Sequence, residues 1–146
     1  MSNLLQIIGN AVSHGRGPAI SAVGAKHVII ASNLVSCEPG LNTTGIAVDS
    51  STDVLVSANN VRGFVRNIAV LPPLAGKSDR VQIRGNSVDV TGTTGAVAVS
   101  VAVSVVHAVV SDNVVTGAAA SAAGGSCVSL PGANSSTRVE RNNDCW

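Results

Sequence analysis

Val81-Gln82-Ile83-Arg84-Gly85-Asn86-Ser87-Val88 places apolar residues five and three positions before an asparagine and another two positions after it. The same frame returns as Leu5, Ile7, Asn10, Val12, then as Val28, Ile30, Asn33, Val35. It returns again as Val54, Val56, Asn59, Val61 and as Ala108, Val110, Asn113, Val115, and a last half-copy reads Thr137, Val139, Asn142. Successive asparagines in this frame are 23, 26, 27, 27 and 29 residues apart. A drifting period of this size describes one supersecondary unit repeated along an axis, not a globule packed around a single centre.

The period inside each unit identifies the element. Val97, Val99, Val101 and Val103 alternate with Ala98, Ser100 and Ala102. Alternation by two with many β-branched residues is the pattern of strands. Each unit divides into three short ones: a segment before the asparagine, a segment after it, and a third carrying Ile20, Ile46 with Val48, Ile68 with Val70, Val97 with Val99, and Val128 with Leu130. Loops of changing length separate the second from the third, among them His14-Gly15-Arg16-Gly17, Glu38-Pro39-Gly40, Thr91 to Gly95 and Gly117 to Gly125. Insertions at matching places in a repeat emerge from one side of a stack.

Composition agrees with such a coil. Of 146 residues only 1% are aromatic and 12% charged, so the interior is aliphatic. The mean hydropathy is +0.39, yet the most apolar run, Ala96 to Val110, is interrupted by Ser100, Ser104 and His107 and is shorter than the roughly 20 residues of a spanning helix. No membrane span is expected. A net charge of +1 without a block of like charges gives no electrostatic reason to expect nucleic acid or an anionic membrane. Residues Met1 to Asn10 already form the first repeat and lack the layout of a signal peptide, so either an export signal belongs to a longer parent chain or there is none. Cys37, Cys127 and Cys145 cannot all pair with one another and lack Cys-x-x-Cys spacing; they are read as thiols.

The expected fold is all-β: residues 1–146 form a single right-handed, single-stranded parallel β-helix of about five to six coils, part of a larger protein or assembly. Right-handedness follows from the general preference of parallel crossovers. With each coil rising by one inter-strand spacing, about 4.8 Å, Asn10, Asn33, Asn59, Asn86, Asn113 and Asn142 stack as an amide ladder at a tight bend. Asparagine suits such a bend because it tolerates left-handed backbone and can hydrogen-bond along the stack.

Gly45-Ile46-Ala47-Val48, followed by Thr52-Asp53-Val54-Leu55-Val56-Ser57-Ala58-Asn59-Asn60-Val61, resembles the right-handed parallel β-helix of the pectate-lyase-like superfamily, as does the stretch from Val81 to Val88. The likeness covers almost the whole chain as a repeat pattern, which speaks for fold more than for function. That superfamily includes polysaccharide lyases and hydrolases, alginate epimerases, viral tailspikes and surface adhesins. The resemblance implies an extracellular, cell-surface or virion setting with glycans as targets.

Lyases of this kind use an Arg or Lys beside calcium held by clustered carboxylates, and the hydrolases use paired carboxylates on adjacent coils. Either needs acids stacked in one column. The outward position two before each asparagine reads Ile8, Ala31, Ser57, Arg84, Ser111 and Glu140, and the one four before reads Gln6, Ile29, Leu55, Gln82, Val109 and Arg138. Neither column holds a carboxylate pair, so no catalytic residue, metal site or cofactor is assigned. Asp112 stands alone, Asp49 and Asp53 are expected to cap turns, and His14, His27 and His107 fall in different registers without an acid nearby in sequence. Arg62, Arg66 and Arg84 are read as a solvated face, with a basic strip for an acidic glycan as the alternative.

On the third strand the outward residues Ser21, Ala47, Ala69, Ala98 and Ser129 form a smooth column of small side chains, which permits close approach of another surface. These are the interface candidates, for identical chains around a symmetry axis. Solenoid ends expose unpaired edges and apolar core unless capped, and no N-terminal capping helix is visible, while Trp146 is a candidate cover for the last coil. The expected partners are copies of the chain or a flanking domain, with a polysaccharide as a further candidate. Two functions fit: a non-catalytic structural or adhesive segment of a fibre, spike or surface protein, or a carbohydrate-active lyase or hydrolase or the remnant of one.

Overall fold

The computed structural model describes residues 3–13, 16–38, 43–71, 78–117, 126–131 and 137–146. His14, Gly15, Pro39, Gly40 and the stretch 118–125, all named above as loop residues, lie outside the described residues.

The first coil holds β1 (Leu5–Ile8), β2 (Ala11–Ser13) and β3 (Ile20–Val23). The second holds β4 (Lys26–Ala31), β5 (Leu34–Ser36) and β6 (Thr44–Asp49), and the third β7 (Thr52–Ser57), β8 (Asn60–Arg62) and β9 (Arg66–Val70). The fourth holds β10 (Asp79–Arg84), β11 (Ser87–Asp89) and β12 (Val97–Val101), and the fifth β13 (Ala108–Ser111), β14 (Val114–Thr116) and β15 (Ser126–Ser129). β16 (Arg138–Arg141) and β17 (Asp144–Cys145) end the stack. Every third strand pairs in parallel, giving sheets in the order β1-β4-β7-β10-β13-β16, β2-β5-β8-β11-β14-β17 and β3-β6-β9-β12-β15. We call these the first, second and third sheets.

The chain is therefore an all-β parallel solenoid with an asparagine ladder. The outermost strands are paired on one side only, and the closed stack amounts to about 4 turns, fewer than the five to six coils expected. No described helix is long and apolar enough to cross a membrane.

The lumen is filled by the columns the repeat frame identifies. Val28, Ile30, Val35, Ile46, Val56, Val61, Ile68, Ile83, Val88, Val99, Val110 and Val115 are completely buried. Stacked β-branched side chains suit this interior because each covers its equivalent in the next coil at the strand spacing. Phe64 is the largest fully buried side chain, and it sits at a corner where the Asn67 amide donates to its carbonyl at 2.9 Å.

Two details of register differ from the sequence reading. In the last half-copy Ala108 pairs with Arg138 and Val110 with Glu140, so Thr137 and Val139 are each one position out of the inward columns. On the third sheet Ile68 pairs with Val99 and Ala69 with Ser100. The small column is thus Ser21, Ala47, Ala69, Ser100 and Ser129, and Ala98 belongs to the core cluster. Val97 misled because the alternation of Val97 to Val103 reads equally well when shifted by two.

Candidate functional site

Two polar columns run along the solenoid, one inside the wall and one on its rim. The inner one is the ladder. A residue with positive φ precedes each rung, namely Gly9, Ser32, Ala58, Gly85, Asp112 and Asn142, and this left-handed step turns the chain from the first sheet into the second. The next residue is the rung. The Asn33 backbone N–H and side-chain amide donate to Asn59 Oδ1 at 3.0 and 2.9 Å. Asn59 does the same to Asn86, and Asn86 to Asn113. Asn10 joins at the top by donating to Asn33.

At the bottom Asn113 donates to Asn143, at 3.1 and 2.9 Å. Asn142, expected as the last rung, is instead the left-handed residue before it, and its amide donates to Asp112 Oδ1 at 3.2 Å. Asn142 and Asn143 are adjacent amides, and only the register of β16 separates their roles.

The outer column lies six positions before each ladder asparagine: His27, Asp53, Arg80 and His107. It stands at the corner where the third sheet passes into the first, at the start of β4, β7, β10 and β13. His27, Asp53 and Arg80 all have φ near +50° (53°, 54° and 51°), a conformation that L-residues adopt rarely and that turns three successive corners alike. Arg80 donates through Nε and Nη2 to the two oxygens of Asp53, the latter at 2.9 Å. Its Nη1 reaches Asp79 Oδ2 at 3.3 Å. His107 meets Asp79 Oδ1 through its backbone N–H at 3.1 Å and ring Nδ1 at 2.7 Å, and His27 Nδ1 lies 3.5 Å from Asp53. The result is a continuous chain His27, Asp53, Arg80, Asp79, His107 across four coils.

Its electrostatics follow from these contacts. The Arg80 guanidinium holds the Asp53 carboxyl below the usual carboxylate range, and Asp53 in turn raises Arg80. Partial desolvation pushes Asp79 up, but the His107 side chain and the backbone N–H groups of Arg80 and His107 outweigh it, so Asp79 also ends below its ordinary value. By accepting from Nδ1, Asp79 selects the tautomer in which His107 Nε2 is the acceptor. Beside the column a shallow depression of about 290 Å³ is bordered by Arg80, Gln82, His107, Val109, Thr137 and Val139.

Histidines 27 and 107, read as lacking acids, thus share one column and each faces an aspartate. Sequence separations of 26 and 28 residues hid the pairs, although carrying the repeat frame two positions further back exposes the column. Asp49 is buried on β6, where Ser50 donates to it, while Asp53 lies in the rim column. Asp112 is held low by Ser111 and Asn142. Arg62, Arg66 and Arg84 sit on β8, β9 and β10, strands of three different sheets, so they form no strip.

The interface candidates also change standing. Ala47, Ala69 and Ala98 are 2%, 0% and 0% exposed in the single chain, so they have no surface to offer a second one. Ser21 is exposed and Ser129 half-buried.

The C-terminal end is built by two features that sequence reading missed. Cys127 and Cys145 form a disulfide with Cα atoms 6.2 Å apart, tying β15 to β17 where thiols were expected. They are 18 residues apart, and nothing in that spacing marks the stacking that joins them. Arg138 takes an inward position and is buried, donating to the carbonyls of Ala102 at 3.2 Å, of Val103 at 3.0 Å and of Val105. Desolvation lowers its pKa. Trp146 is 68% exposed and does not cover the last coil.

Cys37 keeps a free thiol, 3.8 Å from Thr43 Oγ1, in a cup of about 350 Å³ that includes Glu38, Arg62 and Asp89. Among the described residues no group of three or more His, Cys, Asp or Glu has the arrangement of a metal site. No protein-family model, curated protein or solved structure matches this chain.

Proposed function

We propose that this chain is a non-catalytic structural or adhesive solenoid, a single domain serving as a segment of a fibre, spike or surface protein related to the pectate-lyase-like β-helices, and glycan-associated in an extracellular or virion setting. The observation that carries this reading is the state of its acids. Asp53 and Asp79, the two carboxylates brought closest to one rim, are ion-paired to the Arg80 between them. The aspartates whose pKa is displaced, Asp53, Asp79, Asp89 and Asp112, are all displaced downward. A glycoside hydrolase needs one carboxyl held up so that it can donate a proton. The Cys127–Cys145 bond supports the extracellular setting, since disulfides persist in oxidising compartments. Its partners under this reading are copies of itself or a flanking domain, with a polysaccharide as a further ligand.

A second reading, a carbohydrate-active enzyme or a remnant of one, draws on the Asp79–His107 pair, because a carboxylate fixing Nδ1 leaves Nε2 placed as a general base. Incubation with pectin, alginate and bacterial surface polysaccharides, with and without calcium, separates the two. No product is expected. Product formation that disappears in Asp49→Asn, Asp53→Asn, Asp112→Asn or His107→Gln variants would establish the enzyme reading instead.

A further inference from the structure

Where the second sheet passes into the third, the coils differ in how much chain they use. β8 and β9 are joined by residues 63–65 alone, whereas residues 37–43 and 90–96 make the same connection in the coils on either side. A short connection between two longer ones leaves a notch in the wall. Gly63 closes its floor: with φ of 85° it lies so near the Cys37 carbonyl that a Cβ would collide with it, a conformation and an approach that glycine permits.

The notch opens over one polar column. Ser13 stacks on Ser36, Ser36 on Arg62 and Arg62 on Asp89, and with Glu38 and Thr91 these side chains line the cup of about 350 Å³. Their hydrogen bonding is unequally used. Asp89 Oδ1 accepts the Thr91 backbone N–H at 2.9 Å. Burial pushes the Asp89 carboxyl up, but hydrogen bonds from Thr91 and Thr116 and the charge of Arg62 outweigh it and hold it low. Asp89 is thus an anion engaged within the wall. Arg62 and Glu38 are exposed, and neither makes a side-chain hydrogen bond among the described residues. The ion pairs of the described residues lie on the rim column instead, so two opposite charges face one cup without pairing with each other.

That charge balance selects an occupant. With Glu38 and Asp89 against one guanidinium, a simple anion meets net repulsion, and a simple cation leaves the Arg62 donors without an acceptor. A neutral polyol would replace water with hydrogen bonds of small net gain, and no described residue lining the cup is aromatic, so a sugar ring has nothing to stack on. A molecule carrying both a carboxylate and an ammonium answers both charges with charge-assisted hydrogen bonds, and its carboxylate matches the planar fork of a guanidinium.

We propose that this cup binds a small zwitterion of the α-amino acid class, with its carboxylate on Arg62, its ammonium on Glu38 and the hydroxyls of Ser13 and Ser36 at its edge. Such binding makes and breaks no covalent bond, and it stands or falls independently of the polysaccharide incubation.

Amide chemical shifts of the isotope-labelled chain, titrated with L-alanine, L-serine and L-leucine, test it. Saturable shifts are expected from at least one of the three, centred on the amides of Ser36, Cys37, Arg62, Gly63 and Thr91. The N-acetyl derivative of that amino acid, which keeps only the carboxylate, and its methyl ester, which keeps only the ammonium, should each bind about tenfold more weakly or worse. Arg62→Gln and Glu38→Gln should bring losses of the same size, whereas Arg84→Gln, on the first sheet, should leave the affinity unchanged. Absence of shifts from all three amino acids up to about 10 mM overturns the proposal, as does a derivative that binds as well as its zwitterion. Glucose or galacturonate moving the same amides more strongly overturns the ligand class. An Arg62→Gln chain that keeps both its strand circular dichroism and its affinity overturns the assignment of the carboxylate, and if either variant unfolds, the comparison of derivatives on the parent chain decides.

Discussion

Asn59 accounts for much of the bend it occupies. Its Oδ1 takes both donors of Asn33, and its own amide donates to Asn86 Oδ1 at 3.0 Å and to the Ile30 carbonyl at 2.9 Å. It is 1% exposed, so no water replaces what the side chain provides. Truncation leaves buried donors and acceptors without partners, a cost of about 1–3 kcal/mol for each group stranded. Asn59→Ala is therefore expected to lower unfolding stability by about 2–4 kcal/mol in urea titrations. The neighbouring pair gives a finer comparison. Asn143→Ala should cost more than Asn142→Gly, which keeps the left-handed step and should stay within about 0.5 kcal/mol of the parent. Equal effects would mean that the last rung is misassigned.

At the level of elements, the starts of β4, β7 and β10 share one strained corner, and side chains on consecutive coils neutralise one another there. Hydrogen bonds and opposite charge hold the carboxyls of Asp53 and Asp79 below the ordinary range. A depressed carboxyl pKa means that the folded chain binds the proton less readily than the unfolded one. The contribution of the column is thus fully present above the usual carboxylate range and is lost as pH falls through the lowered values. Melting temperature should drop on acidification below that range. Asp79→Asn should flatten this drop, and a variant whose acid dependence matches the parent would detach Asp79 from it. Both acids are substantially solvated, so the effect is modest and shrinks with salt.

Considered as a whole, the molecule is close to one-dimensional, with each coil contacting mainly the coils above and below it. Stability in such a stack is approximately a sum of coil and neighbour terms, and damage at an end stays near that end. Reducing the Cys127–Cys145 bond should remove about 3 kcal/mol of stabilisation by the loop-entropy argument. Hydrogen exchange should show it as lost protection in β15 to β17. The amides of Ile30, Val56 and Ile83, in fully buried central positions, should exchange as before. Uniform loss of protection would indicate a single cooperative unit instead.

The repeat frame by itself determined that this chain is a stack of parallel strands. An aliphatic residue returning with period two, and an asparagine returning with the coil, leave one way to bury the first and satisfy the second. What lay within one coil was legible: the lumen columns and the rungs Asn10 to Asn113. What depended on the alignment of distant coils was decided only by the tertiary structure. The histidine–aspartate column, the disulfide, the inward turn of Arg138 and the choice of Asn143 over Asn142 each join residues 18 or more positions apart or hang on a one-residue shift. Loops of unequal length carry no sequence signal of how far the next strand slides, and it is packing against the neighbouring coil that sets that slide.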